Sequence, residues 1–172
     1  MWRNGYWRLD PSWGKDWMPS SGGKTGTLMI ISNLKGKQCM DLVEKIYFND
    51  VPLAYIIRAQ LLPDKTTFLT PSDFNQQVGF VVYPAGGVIP RHVHRPLERH
   101  LVGTSEVLVV RQGRCEIDIY NDDRQLIATR ELREGDIMLK VGGGHGFRVL
   151  EPTVLLEVKQ GPYTGVDEKI RF

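Results

Sequence analysis

Four side chains carry most of the chemistry this chain could do: His92 and His94 in a His-Val-His triplet, Glu106 at the head of Glu-Val-Leu-Val-Val-Arg-Gln-Gly, and His145 in Gly-Gly-Gly-His-Gly. Side chains alternate between the faces of a strand, so residues two apart point the same way. The triplet at 92–94 therefore predicts two imidazoles on one face. The run after Glu106 is β-branched and apolar and ends at Gly113, which predicts a strand beginning at Glu106 and a hairpin turn at the glycine. His145 follows Gly-Asp-Ile-Met-Leu-Lys-Val, another short strand. Neighbouring strands of one sheet would then gather three imidazole nitrogens and one carboxylate oxygen. That donor set suits one divalent transition metal (Fe, Mn, Ni, Co or Zn) and leaves positions open for water or substrate. A single histidine on a strand is more often a hydrogen-bonded surface or core residue; the joint register of the four is what points to a metal.

The elements that must position these residues become regular from about residue 40. Leu-Val-Glu-Lys-Ile-Tyr-Phe, a turn at Asn49-Asp50 and Leu-Ala-Tyr-Ile-Ile-Arg predict a hairpin. Thr70-Pro71-Ser72-Asp73 could cap one short helix. Eight further short strands are predicted: 78–83, 88–94, 106–111, 115–120, 125–132, 136–141, 146–150 and 154–159. Turn signals such as Asn121-Asp122-Asp123 and Glu134-Gly135-Asp136 separate them. Many short strands at near-even spacing predict an all-β barrel or sandwich.

Gly87-Val-Ile-Pro-Arg-His92-Val-His94, then Glu106 with its glycine at 113, then Gly135-Asp136 running on to His145-Gly146-Phe147, resemble the two sequence motifs of the cupin superfamily over roughly residues 78–161. The resemblance implies an all-β fold, a double-stranded β-helix of the jelly-roll barrel type. It also implies that His92, His94, Glu106 and His145 are metal ligands, and that the protein is a homodimer. The spacer between His94 and Glu106 is longer than the motif's usual one, which an inserted loop at the barrel mouth over 95–105 would account for. Glu98 stands at the usual offset from His94, but no glycine follows it at the required distance, because position 105 is Ser. Glu106 is therefore preferred as the ligand. Gly142-Gly143-Gly144 replaces the proline that many cupins carry before the histidine, which leaves the ligand set intact and makes its loop more flexible. The Glu157–Tyr163 stretch, with Gly-Thr-Ser-Glu-Val-Leu and Gly-Gly-Gly-His-Gly-Phe, is similar to a subgroup of small bacterial cupins of undefined activity, so the resemblance implies a fold and a site but no reaction.

Strand alternation puts Phe147 with His145, lining the cavity, and Arg148 away from it. Glu157 and Lys159 share one face of the last strand, and alternation alone leaves open whether that face is inward. His100, among Arg95, Glu98 and Arg99, reads as part of a solvated charged loop.

With 172 residues and 41% hydrophobic content, the chain can bury a core without disulfide staples. Cys39 and Cys115 are far apart in unlike contexts, which argues against a disulfide framework and for a reducing compartment. No long apolar run or signal-peptide pattern is seen, so a cytoplasmic protein with no membrane association is expected. The net charge of +2 is unevenly placed, with the excess of Lys and Arg in residues 1–40, and the near-neutral remainder argues against a nucleic-acid surface. Trp2, Trp7, Trp13 and Trp17 all precede a Pro, Ser and Gly-rich stretch at 19–27. The composition shift divides the chain into an N-terminal Trp-rich extension, 1–40, and a barrel domain, 41–172. Two readings of the extension stay open: an arm packed on the barrel or a neighbouring subunit, or a leader preceding a true start at Met29 or Met40. Gly-Gly-Lys-Thr at 22–25 fails as a phosphate loop, because Met18 stands where the first glycine should.

Three functions follow as expectations. One is a metal enzyme with oxygenase-type chemistry on a small polar molecule. The second is a non-redox isomerase, epimerase or lyase acting on a sugar or small acid, in which the ion polarises a carbonyl. The third is a non-catalytic module binding a sugar or other small ligand.

Overall fold

The computed structural model describes residues 42–163, 165 and 168–172. The Trp-rich extension, with the packing of its tryptophans, lies outside the described residues. Two antiparallel sheets form the body. The larger has the order β1-β2-β8-β5-β10, from Val43–Phe48 (β1), Val51–Ile57 (β2), Ile137–Lys140 (β8), Glu106–Gln112 (β5) and Val154–Lys159 (β10). The smaller has the order β7-β6-β9, from Leu126–Arg133 (β7), Arg114–Tyr120 (β6) and Gly144–Val149 (β9). A short pair, Thr67–Phe68 (β3) and Gly79–Phe80 (β4), stands apart. The described residues are all-β and antiparallel, as expected, and the sheets do not close into one barrel. No helix among them is long and apolar enough to cross a membrane.

Alternation builds the core between the two sheets. Leu108 and Val110 of β5, Met138 of β8, and Ala54 and Ile56 of β2 meet Cys115, Ile117 and Ile119 of β6 and Leu132 of β7, all at most 3% exposed. Each of the Leu, Ile, Val and Met side chains contributes roughly 1.5–3 kcal/mol by leaving water. In β2 the burial is continuous over Leu53–Ile57 instead of alternating. The outer face of this strand is covered too, with Phe74 set edge-on to Tyr55 at 6.0 Å. That is why the strand reads as an apolar run.

Turns conform to the sequence in part. Asn49 and Asp50 have φ of 48° and 62°, so both central residues of the first hairpin are left-handed, the conformation of the tight turn whose twist matches the strands it joins. Gly113 is a corner and not the expected hairpin turn: β5 belongs to the larger sheet and β6 to the smaller. Its φ is +84°, and a Cβ there would lie 2.1 Å from the Pro152 carbonyl oxygen, so only glycine fits. Gly135, also left-handed, lies at the return crossing from β7 to β8.

Asp136 pins that second corner. Buried to 4% exposure, it accepts hydrogen bonds from the amides of Ala59 and Arg133 and pairs with Arg58 at 2.9 Å.

Three expectations for the middle of the chain are corrected. The stretch 88–94 is not a strand, and the strand expected at 78–83 shrinks to Gly79–Phe80; residues 81–105 pair with no strand. Pro84 and Pro90 lack amide donors and resist a ladder here. The helix expected after Thr70 does not form. The Thr70 hydroxyl accepts from the Val78 amide across a turn, and Gln77 Nε2 donates to the Pro71 and Phe74 carbonyls, so the capping side chain closes a loop instead.

Candidate functional site

Register aligns a charged row at one end of the larger sheet. Glu106 of β5 stands directly opposite Lys140 of β8 and Lys159 of β10, and directly opposed residues share a face. That face is inward, since the next pairs along it are Leu108 with Met138 and with Glu157. The face of the last strand is thereby settled: Glu157 and Lys159 share the inward face of Leu108, with side chains 42% and 19% exposed at the sheet edge, while Val154, Leu156 and Val158 lie on the other face at 50–54% exposure. Lys159 Nζ reaches Glu168 Oε1 at 3.3 Å, and Lys140 Nζ donates to the Thr104 carbonyl at 3.3 Å. Burial works to lower the Lys159 pKa, but the hydrogen bond it donates to Glu168 and the charges of Glu168, Glu157 and Glu106 hold it above the usual lysine value.

His145 arrives from the other sheet. It lies on β9 opposite Ile119, whose side chain is fully buried in the core. Its Nε2 comes within 3.4 Å of Glu106 Oε2. Glu106 and His145 therefore meet across the two sheets, and not on neighbouring strands of one sheet as expected. Glu106 is 4% exposed, and its Oε2 has no hydrogen-bond partner among the described residues; the imidazole contact lacks hydrogen-bond geometry. An orphaned buried carboxylate oxygen is costly and asks for a proton, a water or a cation. Burial lowers the His145 pKa, Lys140 and Lys169 push it the same way, and Glu106 and Glu157 oppose them. That direction favours the neutral ring, the form whose lone pair binds metals. Ahead of it, Gly143 (φ +60°) would place a Cβ 2.0 Å from the Tyr120 carbonyl oxygen. The glycine run thus allows a close approach to β6 as well as conformational freedom.

These residues line a cavity of about 510 Å³. Tyr120, Lys140, Glu106 and His145 form its walls from the sheets, and residues 168–172 complete it. Phe147 is not part of the lining: its ring packs edge-on against His145 at 5.6 Å and is 36% exposed. Arg148 points to the other face, as expected, and pairs with Glu116 at 3.0 Å.

His92 and His94 lie on the exposed 81–105 stretch, their rings 5.2 Å apart. His92 Nδ1 is 2.9 Å from the Pro90 carbonyl, which can only accept, so Nδ1 is the donor and Nε2 is the nitrogen left for another partner. Among the described residues, no three His, Cys, Asp or Glu side chains come together as a group able to hold a metal ion. The four expected ligands therefore stand as two pairs: Glu106 with His145 in the cavity, and His92 with His94 on the exposed segment. The first pair, with its orphaned oxygen, fits a metal's donor chemistry. Glu98 and His100 are exposed on the same stretch, and Thr104 brings its end to the cavity rim.

Sequence reasoning missed Lys140 and the 168–172 tail. Lys140 lies two residues after the inward-facing Met138, a signal that alternation carried once the inward face was known. Lys-Ile-Arg-Phe at the tail has no periodicity that would attach it to a site. Comparisons with protein-family models, with curated proteins and with solved structures find no match.

Proposed function

We propose that this chain is a metal-binding protein of the cupin type, an enzyme acting on a small polar molecule. The observation that carries the reading is the buried Glu106 carboxylate, whose Oε2 lacks a hydrogen-bond partner and faces the Nε2 of His145 in a cavity. A divalent transition metal would satisfy that oxygen, with His92 and His94 supplying the remaining nitrogens from the 81–105 segment. When bound, such an ion supplies Lewis acidity and, if it is iron, oxygenase-type redox chemistry. The chain's own residues bind and orient: Glu106 and His145 anchor the site, and Pro90 fixes the tautomer of His92.

The jelly-roll reading, a double-stranded β-helix, is part of the proposal. It is supported by the way the chain passes between facing sheets after β5, β7, β8 and β9. So is a homodimer, supported by the apolar outer face of the edge strand β10.

Lys140 on the cavity wall favours a second reading, a non-redox isomerase or lyase of a sugar or small acid, because an amine beside a carboxylate can move a proton. Elemental analysis of the natively purified protein tests both. Iron supports the oxygenase reading, zinc or nickel the non-redox one, and a metal-free protein that takes up no divalent ion on reconstitution sinks the metal centre.

A further inference from the structure

The tail, residues 168–172, lines part of the cavity and is held by specific contacts. The Phe172 ring meets Tyr120 edge-on at 5.1 Å, and the Arg124 guanidinium lies 5.5 Å from the same ring. Gly144 faces that ring without a side chain; a Cβ there would be 3.4 Å from Phe172 Cζ. At its other end, Glu168 pairs with Lys159 at 3.3 Å. Seated this way, the tail brings Lys169 and Arg171 into the same lining as Lys140 of the sheet.

Among the lining side chains, basic groups outnumber carboxylates by one. Lys140, Lys169 and Arg171 carry three positive charges against the two carboxylates Glu106 and Glu168. Of the two carboxylates, Glu168 is paired with Lys159 at 3.3 Å, outside the three basic groups of the lining. Lys140 spends one of its three donors on the Thr104 carbonyl. A cleft walled by low-dielectric protein concentrates such a field. Arginine presents a planar fork that matches a carboxylate or phosphate with two parallel bonds, and lysine adds a compact point charge.

We propose that the cavity binds its small molecule through an oxyanion group, a carboxylate or a phosphate, held by Lys140 on the sheet and by Lys169 and Arg171 of the tail. The inference rests on the reading of this cavity as the substrate site, and it narrows "small polar molecule" to an anionic one. The tail is then a specificity wall, positioned by the Phe172–Tyr120 contact.

Calorimetric titration of the full chain tests it, both as purified and after chelation with EDTA, with metal content measured on the same samples. The probes are sodium malonate, inorganic phosphate and, as a neutral control, malonamide. At least one anion is expected to bind both forms while malonamide does not, and added salt should weaken the binding. Malonate against phosphate distinguishes a carboxylate site from a phosphate site. Arg171→Gln and Lys140→Gln should each weaken the anion about tenfold, the size of a lost charge-assisted hydrogen bond. Phe172→Ala, which loosens the wall without removing a charge, should weaken it as well. Equal binding of malonate and malonamide, no binding of either anion, or an Arg171→Gln protein that binds as tightly as the parent overturns the proposal. Anion binding by a protein that takes up no metal leaves it standing and removes only the metal centre. Metal uptake without anion binding does the reverse.

Discussion

Glu106 and Glu98 are both carboxylates within reach of the same histidines in sequence, and their surroundings separate them. Glu106 is buried with an orphaned oxygen against His145, whereas Glu98 is solvated on an irregular stretch. A metal bound at the cavity should therefore be lost from Glu106→Gln and from His145→Ala, with occupancy falling at least tenfold by elemental analysis, while Glu98→Gln keeps it. The reverse pattern would transfer the role to Glu98. Cys115 offers a second test at this scale. It has no exposed surface, and burial pushes its thiol above the usual value, so little thiolate forms and no reagent reaches it. A Cys39→Ser protein should be silent to a thiol-specific dye when folded and should titrate one thiol in denaturant. Rapid labelling of the native protein would show that the β6 core opens readily.

At the scale of elements, the site depends on two crossings that carry the chain between the sheets, at Gly113 and at Gly135-Asp136. Asp136 holds the second crossing through Arg58 and the amides of Ala59 and Arg133. Removing the carboxylate leaves a mostly buried guanidinium and two amides without it, so Asp136→Ala should destabilise the fold by about 3 kcal/mol in urea titration. A loss under about 1 kcal/mol would mean that water replaces the carboxylate. Gly113→Ala should also be destabilising, by about 2 kcal/mol or more, because the left-handed backbone and the Pro152 carbonyl both oppose a Cβ. Gly146, where a Cβ meets nothing within 4 Å, is the matched control and should tolerate alanine far better.

Across the whole molecule, the 81–105 segment is the part the proposed metal must recruit. Val88, Val93 and Val102 are 75–84% exposed along it, and Arg91 and Arg99, neither followed by proline, are exposed sites for trypsin. If His92 and His94 join Glu106 and His145 on the metal, that ion should protect these bonds. Limited proteolysis should slow at least severalfold on adding the native metal, and this protection should vanish in His92→Ala. Cleavage at the same rate with and without metal would detach the two histidines from the site. The dimer is tested in parallel by light scattering. Leu156→Glu on the outer face of β10 should give monomers, and a parent already monomeric would remove that part of the reading.

Most strands are legible in the residues themselves. The Asn49-Asp50 hairpin, β5 from Glu106, and β6 to β10 follow from alternation and turn chemistry, because both are local and a strand's period survives any tertiary context. The opposite faces of His145 and Arg148 follow from the same rule. Which strands share a sheet is not local. The glycine at 113 reads equally as a hairpin turn or as a corner, and only the pairing of β5 with β8 and β10 decides for the corner. The strand expected at 88–94 fails for a related reason: alternation permits it, but a strand needs partners for its backbone, and none pairs with it. Tertiary structure alone brings Glu106 against His145 from opposite sheets, settles Glu157 and Lys159 inward, and seats a tail without periodicity against Tyr120. The residue types determine which chemistry is possible, since donors and charges belong to side chains. Their convergence is decided by packing between segments far apart in the chain, where no short-range pattern reaches.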